Sequence, residues 1–290
     1  MKPLMETLTL GAVAYDPKVV TIWEGFKSWF HDRDLSFDFV LYSNYERLVE
    51  GHLAGEVHAA WNSPLAWIEA ERAAAMLGRK ASAVVMRDTD RDLSSIVVVR
   101  AGSTIQTISG LAGKAVAVGA SDSPQATLIP LLLMADAGLR PGKDVRVEKY
   151  DLLLGKHGDH VGGEREAARA LVAGRVEAAC MLDVSLLAFS REGTLPPGST
   201  RILAKTPLYD HCNVTVLDDA PADLVRRFVD LLLGMEYEDP VLRPLLDLEG
   251  LKRWLPGRVK GYAQLNRAVD AFGTLDGWLD RMKRIAGTKG

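Results

Sequence analysis

Cysteine is scarce in this chain: there are only Cys180 and Cys212 among 290 residues. A disulfide-built scaffold is therefore excluded, although a bond between those two is not. Long apolar runs are absent too, so no stretch reads as a membrane span. Basic excess is missing: Lys and Arg number 35 against 38 Asp and Glu, for a formal net charge of -3. Without a basic stripe there is no nucleic-acid footprint, and an anionic ligand has to be held by local donors. Nor is there a G-x-S-x-G elbow, a P-loop, a dinucleotide fingerprint or an H-E-x-x-H helix. These absences favour binding over turnover, and no catalytic residue is assigned.

Met1–Glu6 runs straight into the strand-like Leu8–Val13, with no basic n-region, apolar h-region or small-residue cleavage site. The expectation is a cytoplasmic chain, or a periplasmic or cell-surface one whose signal has been trimmed.

What is present is ordinary globular composition, 48% hydrophobic and 25% charged. The length suits two lobes better than one core. The first third alternates apolar strands with amphipathic helices. Strands are read at Leu8–Val13, Phe37–Tyr42, Val57–Trp61 and Ala81–Met86. Between them, Val19, Ile22, Trp23, Phe26, Trp29 and Phe30 recur at helical spacing. Asn44 is placed to cap a second helix, and Pro64 to open a third.

The β-branched run Ser94–Arg100 reads as the crossing into a second lobe, where the alternation restarts: strands at 114–119, 145–147 and 176–182, and helices at 124–137 and 164–173. After a strand at 201–204, Asn213–Leu217 leads into closing helices at 222–233, 240–246, 262–272 and 275–285. The fold class is thus α/β, with each lobe a mostly parallel sheet flanked by helices. Lobe 1 is expected to be discontinuous, 1–98 and 206–290, and lobe 2 inserted, 99–205. Two hinge crossings would let the lobes close on a ligand in the cleft between them.

Sheets of this kind bind ligands beyond the carboxyl ends of their strands. That directs attention to the loops at Ala14–Pro17, Ser43–Tyr45 and Asn62–Pro64 in the first lobe. In the second, Val118–Thr127 ends a strand, offers Ser121 and Ser123, and starts a helix at Pro124. Free amides and the helix dipole make such a start an anion site; the plainer reading is an N-cap, with Ser123 bonding the amide of Gln125 or Ala126. Asp122 counts against an anion unless its side chain faces away.

Lys156–Glu164 carries His157 and His160, whose spacing matches no common zinc pattern, so no metal is assigned. The loop is read as a ligand contact, or simply as a solvated polar loop. Tyr15, Tyr45 and Trp61 sit at strand ends, where they either wall a ligand or pack under the sheet. Asp183 and the Tyr209–His211 stretch fall where ligand or hinge contacts would lie. Cys180 reads as core; Cys212, beside His211, lacks enough nearby ligands for metal.

The order of these segments resembles the substrate-binding proteins of phosphate/phosphonate-type ABC transporters, with the type 2 periplasmic binding-protein fold. The likeness is carried by Tyr45–Glu50, Gly55–Pro64, Ser95–Ser103, Leu111–Ala117, Ser121–Pro124, His157–Gly163 and Ala173–Ala179. The resemblance implies capture of a phosphate, phosphonate or phosphite, delivery to an ABC permease, a monomer and no cofactor. It implies ligand contacts at Ser121, Ser123, Tyr45, Tyr15 and His157 or His160; Trp61 and Asp183 are added from the residues themselves. The alternative is a cytoplasmic decarboxylase or lyase of small aromatic or carboxylic acids on the same fold, with His157, His160 and Asp183 as acid–base groups.

Overall fold

The computed structural model describes residues 7–159 and 161–287. His160, one of the expected site residues, lies outside the described residues. In chain order the first elements are β1 (Leu8–Val13), α1 (Lys18–His31), β2 (Phe37–Tyr42), α2 (Tyr45–Leu53), β3 (Ala59–Asn62), α3 (Pro64–Met76) and β4 (Ala81–Arg87). Next come β5 (Ser95–Arg100), β6 (Ala115–Val118), α4 (Ile129–Asp136), β7 (Arg146–Lys149), α5 (Glu164–Val172), β8 (Ala178–Leu182), α6 (Asp183–Arg191) and β9 (Thr200–Lys205). The chain ends with β10 (Asn213–Leu217), α7 (Ala222–Leu233), α8 (Arg243–Glu249), β11 (Trp254–Pro256), α9 (Ala263–Phe272) and α10 (Asp276–Gly287).

Two compact units result. One comprises residues up to Arg91, Asp210–Lys260 and from Leu275 onward; the other comprises Asp92–Tyr209 and Gly261–Thr274. The expected boundaries were 98/99 and 205/206. The division falls a few residues outside them because the pairing of Leu93 with Tyr209 extends the second unit past β5 and β9. The excursion at 261–274 was not anticipated. It belongs to the second unit because Phe272 of α9 packs on that unit's core and Arg267 pairs with Asp136. Nothing in the amphipathic pattern of α9 says which sheet it covers.

The first unit holds a six-stranded sheet ordered β11-β4-β10-β3-β1-β2. β1 is parallel to β2 and β3, while β10 runs against β3 and β4. Because side chains alternate across a strand, successive residues feed two cores. Leu8, Leu10, Ala59, Trp61, Val214 and Val216 face a cluster built with Trp23, Phe26 and Phe30 of α1 and Phe228 of α7. Val13, Ala60 and Leu217 face the opposite cluster of α2, α3 and α10. Phe30 lies 4.8 Å from Phe37 and 5.3 Å from Phe228 between ring centroids; truncating such a ring costs about 3–5 kcal/mol.

The second unit holds a five-stranded sheet ordered β7-β6-β8-β5-β9. β6 is parallel to β7 and β8, and β5 runs against β8 and β9. Here Ile96, Val98, Ala117, Ala179 and Met181 pack on α5, and Val97, Val99, Val118, Ala178 and Cys180 on α4. Both sheets are therefore mixed: most strands share one direction, and β10, β11 and β5 oppose it. No helix among the described residues is long and apolar enough to cross a membrane.

Candidate functional site

Parallel neighbours in a sheet end on the same side, which collects their following loops. In the second unit the carboxyl ends of β7, β6 and β8 bring together the loops at 150–163 and 119–123 and the start of α6. The 119–127 segment turns directly into a helix. Ser123 caps that start: its Oγ accepts from the Ala126 N–H at 3.2 Å, as one of the two readings of the sequence has it. The turn is wound wide, since the Leu128 N–H reaches five residues back to the Ser123 carbonyl at 3.0 Å. Such π-type turns occur often at functional sites, and here Pro124, which has no N–H, opens it.

Residues 150–159 and 161–163 clamp this start. The Ser121 N–H and hydroxyl both donate to Asp151 Oδ1, at 2.7 and 2.6 Å. The hydroxyl bond from Ser121 holds the Asp151 carboxyl below its usual range. Asp122 accepts from the Gly155 N–H at 2.7 Å, so this carboxylate is turned to the loop. Gln125 Nε2 donates to the Gly158 carbonyl at 2.7 Å, and the Ala120 N–H to the Gly162 carbonyl at 3.3 Å.

Glycine is required at the closest approach. A Cβ on Gly158, whose φ is +67°, would lie 2.2 Å from Ser123 Oγ. One on Gly163 would lie 2.1 Å from the Tyr150 carbonyl. His157, adjacent to Gly158, is fully buried with a φ of +52°. The loop thus holds a histidine, in strained backbone, beside the helix start.

Sequence reasoning passed over three buried polar residues here. Thr127 is 1% exposed and its hydroxyl lacks a hydrogen-bond partner among the described residues, as does Gln125 Oε1. Ser95 Oγ bonds the Gln125 carbonyl at 2.5 Å and meets the Tyr209 hydroxyl at 2.7 Å. Burial pushes the Tyr209 hydroxyl well above its ordinary value, so it stays protonated. Asp183 is bound to Lys205 Nζ at 2.5 Å and accepts from Ser94 Oγ at 3.3 Å. Its partner is on β9, which gives it a structural occupation.

In the first unit the carboxyl ends of β1, β2 and β3 place the loops at 14–17, 43–45 and 62–64 on one side. Asn44 caps α2 by accepting from the Arg47 N–H at 2.8 Å, as read from the sequence. Tyr45 follows as the first residue of α2, 2% exposed within the core. Tyr15 is half-buried, with Lys18 Nζ 6.0 Å from its ring centroid. Trp61 is packed: Trp254 meets it edge-on at 5.7 Å, and the Arg87 guanidinium lies 5.1 Å from its ring. Ser63, fully buried, caps α3 by accepting from the Ala66 N–H at 3.1 Å. Beside it, Asn62 donates to Thr215 Oγ1 at 2.9 Å.

His211 and Cys212 gain a third neighbour that their own segment could not supply. Asp90, His211 and Cys212 bring ligand-type atoms within 4.8 Å of one another. Arg87, however, donates to both Asp90 oxygens, at 2.6 and 2.9 Å, and to Glu249 Oε1 at 3.2 Å. Burial alone would raise the Asp90 carboxyl; Arg87 and His211 overcome that and hold it at about 2. The group is an ion-paired knot under β4. Arg258 makes a similar two-pronged pair with buried Asp210, at 2.6 and 2.5 Å.

Comparison with known proteins bears on what these turns serve. Residues 14–262 match the family model of the ABC transporter phosphonate periplasmic substrate-binding protein. Among solved structures, PhnD1 from Prochlorococcus marinus in complex with methylphosphonate is similar at a TM-score of 0.67 and 16% identity, covering 92% of this chain and 98% of that one. A binding protein component of an ABC phosphonate transporter from Pseudomonas aeruginosa matches at a TM-score of 0.60 and 13% identity, covering 98% and 99%. A Xanthomonas citri protein bound to chloride ion gives a TM-score of 0.64 and 18% identity, covering 96% and 99%. A sequence search of curated proteins finds no match. The expected two-lobed periplasmic binding-protein fold is the fold observed, and the family supports binding over the decarboxylase or lyase alternative. The segments flagged in the sequence fall within the matched region, and the chain belongs to the family of periplasmic substrate-binding proteins of phosphonate-type ABC transporters.

Proposed function

We propose that this chain captures a small phosphonate-class oxyanion and presents it to an ABC permease. The observation that carries the reading is the clamped helix start in the second unit. The helix start with its buried Thr127 hydroxyl is held against the His157–Gly158 loop, whose close approach to Ser123 only glycine allows. Donors fixed before the ligand arrives cost little reorganisation, and helix-start amides favour negative charge. In this reading Ser123 and His157 contact the oxyanion, with His160 of the same loop as an additional donor. Ser121 acts by locking the loop through Asp151, and Asp183 by fixing α6 to β9. Tyr15, Tyr45 and Trp61 are proposed as further ligand contacts of this chain. The protein is proposed to act as a monomer in the periplasm.

Thermal unfolding with methylphosphonate, phosphate, phosphite, sulfate and methanesulfonate tests this. A ligand bound only by the native state at about a thousand times its Kd stabilises by about 4 kcal/mol. That corresponds to a rise of several degrees, expected first for methylphosphonate. No rise with any phosphorus oxyanion refutes the proposal.

A further inference from the structure

The first unit carries a second constellation at the opposite end of its sheet. Where α2 and α3 end, β3 begins and β10 finishes, a cavity of about 270 Å³ is lined by His52, Val57, His58, Arg79, Leu217 and Asp219, among others. This is the amino end of β1 and β3, whereas the loops at 14–17, 43–45 and 62–64 are at their carboxyl ends.

His52 is 2% exposed, and neither of its ring nitrogens has a hydrogen-bond partner among the described residues. The His58 backbone beside it favours its charged form. Burial, reinforced by the Arg79 charge, brings the ring down to about 4, so it is neutral at pH 7 and offers one donor and one acceptor. Buried polar atoms of this kind ordinarily have partners.

The other lining groups are donors. His58 Nδ1 accepts from the Thr9 N–H at 3.0 Å, which leaves the ring proton of the neutral form on Nε2. Arg79 donates to the Leu53 carbonyl at 2.8 Å and pairs with Asp219, and its guanidinium has five N–H groups in all. Among the described lining residues Asp219 is the one acid, and it is already engaged by Arg79. Val57, Leu217, Ala220 and Pro221 complete an apolar wall.

We infer that this cavity is a second binding site, for a small organic monocarboxylate whose carboxylate meets Arg79, His58 and His52 and whose body lies on the apolar wall. At about 30 Å³ per water-sized unit the space holds about nine such units, which suits benzoate or a short aliphatic acid. Arg79 matches a planar carboxylate. The adjacent Asp219 charge disfavours a dianion more than a monoanion, since repulsion scales with charge, and this argues against phosphate.

The test follows the histidine ring signals of the full-length protein by NMR during titration with sodium benzoate, with inorganic phosphate in parallel. Two histidine resonances, assigned to His52 and His58 by single substitution, are expected to shift together along one saturable curve. That curve should be unchanged by saturating methylphosphonate. Arg79→Gln should weaken benzoate about tenfold or more, and Asp219→Asn, which releases the guanidinium, should tighten it severalfold. The Asp219→Asn arm stands if Arg79→Gln does not fold. The inference is overturned by the absence of a saturable shift below about 20 mM benzoate, by tighter binding of phosphate than benzoate, by competition from methylphosphonate, or by an Asp219→Asn curve no tighter than that of the unmodified chain.

Discussion

Gly158→Ala probes the clamp between the 150–163 loop and the helix start. The added Cβ would sit 2.2 Å from Ser123 Oγ, 2.4 Å from Ser123 Cβ and 3.1 Å from Ser123 Cα, at a φ of +67°. Ser123 cannot swing aside cheaply, because it is buried and its Oγ holds the Ala126 N–H. The left-handed backbone costs an L residue about 1–2 kcal/mol. Overpacking adds about 1–3 kcal/mol, for a total of about 2–5 kcal/mol. Gly138→Ala separates the two contributions. Its φ is +84° but nothing lies within 4 Å of the new Cβ, so it carries only the backbone cost. Urea unfolding midpoints of both variants measure stability, and calorimetric titration with methylphosphonate measures the site. Gly158→Ala should be the less stable by about 1–3 kcal/mol and should bind at least about tenfold more weakly, while Gly138→Ala binds as the parent does. Equal stability of the two variants, or parent-like binding by Gly158→Ala, would refute the clamp as the element that shapes the site.

Three further outcomes follow from buried groups. Arg87→Met takes the guanidinium away from two buried carboxylates, Asp90 and Glu249, and should cost about 3–5 kcal/mol in denaturant unfolding. Adding Asp90→Asn and Glu249→Gln should recover much of that loss. His52, held at about 4 when folded against an ordinary 6.5, takes up a proton in the unfolded chain first. Its contribution is therefore complete above about 6.5 and is lost as pH falls toward 4, up to about 3 kcal/mol; His52→Leu should flatten the stability profile over that window. Cys180 and Cys212 are both free and buried, and burial pushes the Cys180 thiol well up. Neither should react with a thiol reagent in the native protein and both should in denaturant; rapid labelling of one thiol would contradict the packing described.

Local chemistry makes much of this fold legible in the sequence. Asn44 and Ser123 cap the helices they precede because a short polar side chain before an apolar periodic run has one favourable use. The strand at 213–217 is legible to the residue, since Val214, Val216 and Leu217 are apolar on both faces. The helix at 183–191 is not legible, because Asp183-Val184-Ser185-Leu186-Leu187 continues a strand's hydrophobicity without a break. Strand β11 is too short to show a period. The site divides in the same way. The helix start and its histidine loop were visible as a turn signature and a Gly–His cluster. The partners that define their roles were not: Asp151 on Ser121, Lys205 on Asp183 and Asp90 on His211 are separated by 30, 22 and 121 residues. Tertiary neighbours of that kind leave no local pattern. Trp61 is a further case: its place at a strand end is legible in the sequence, while its packing against Trp254 and Arg87 is not.

The central claim is that the clamped helix start of the second unit holds a phosphorus oxyanion. Calorimetric titration of the unmodified protein and of a His157→Asn, Ser123→Ala pair with methylphosphonate tests it most directly. The account predicts one saturable site in the parent and a loss of about tenfold or more in each variant, with urea midpoints confirming that the variants are folded. Undiminished binding in both folded variants, or no heat of binding in the parent, would contradict it.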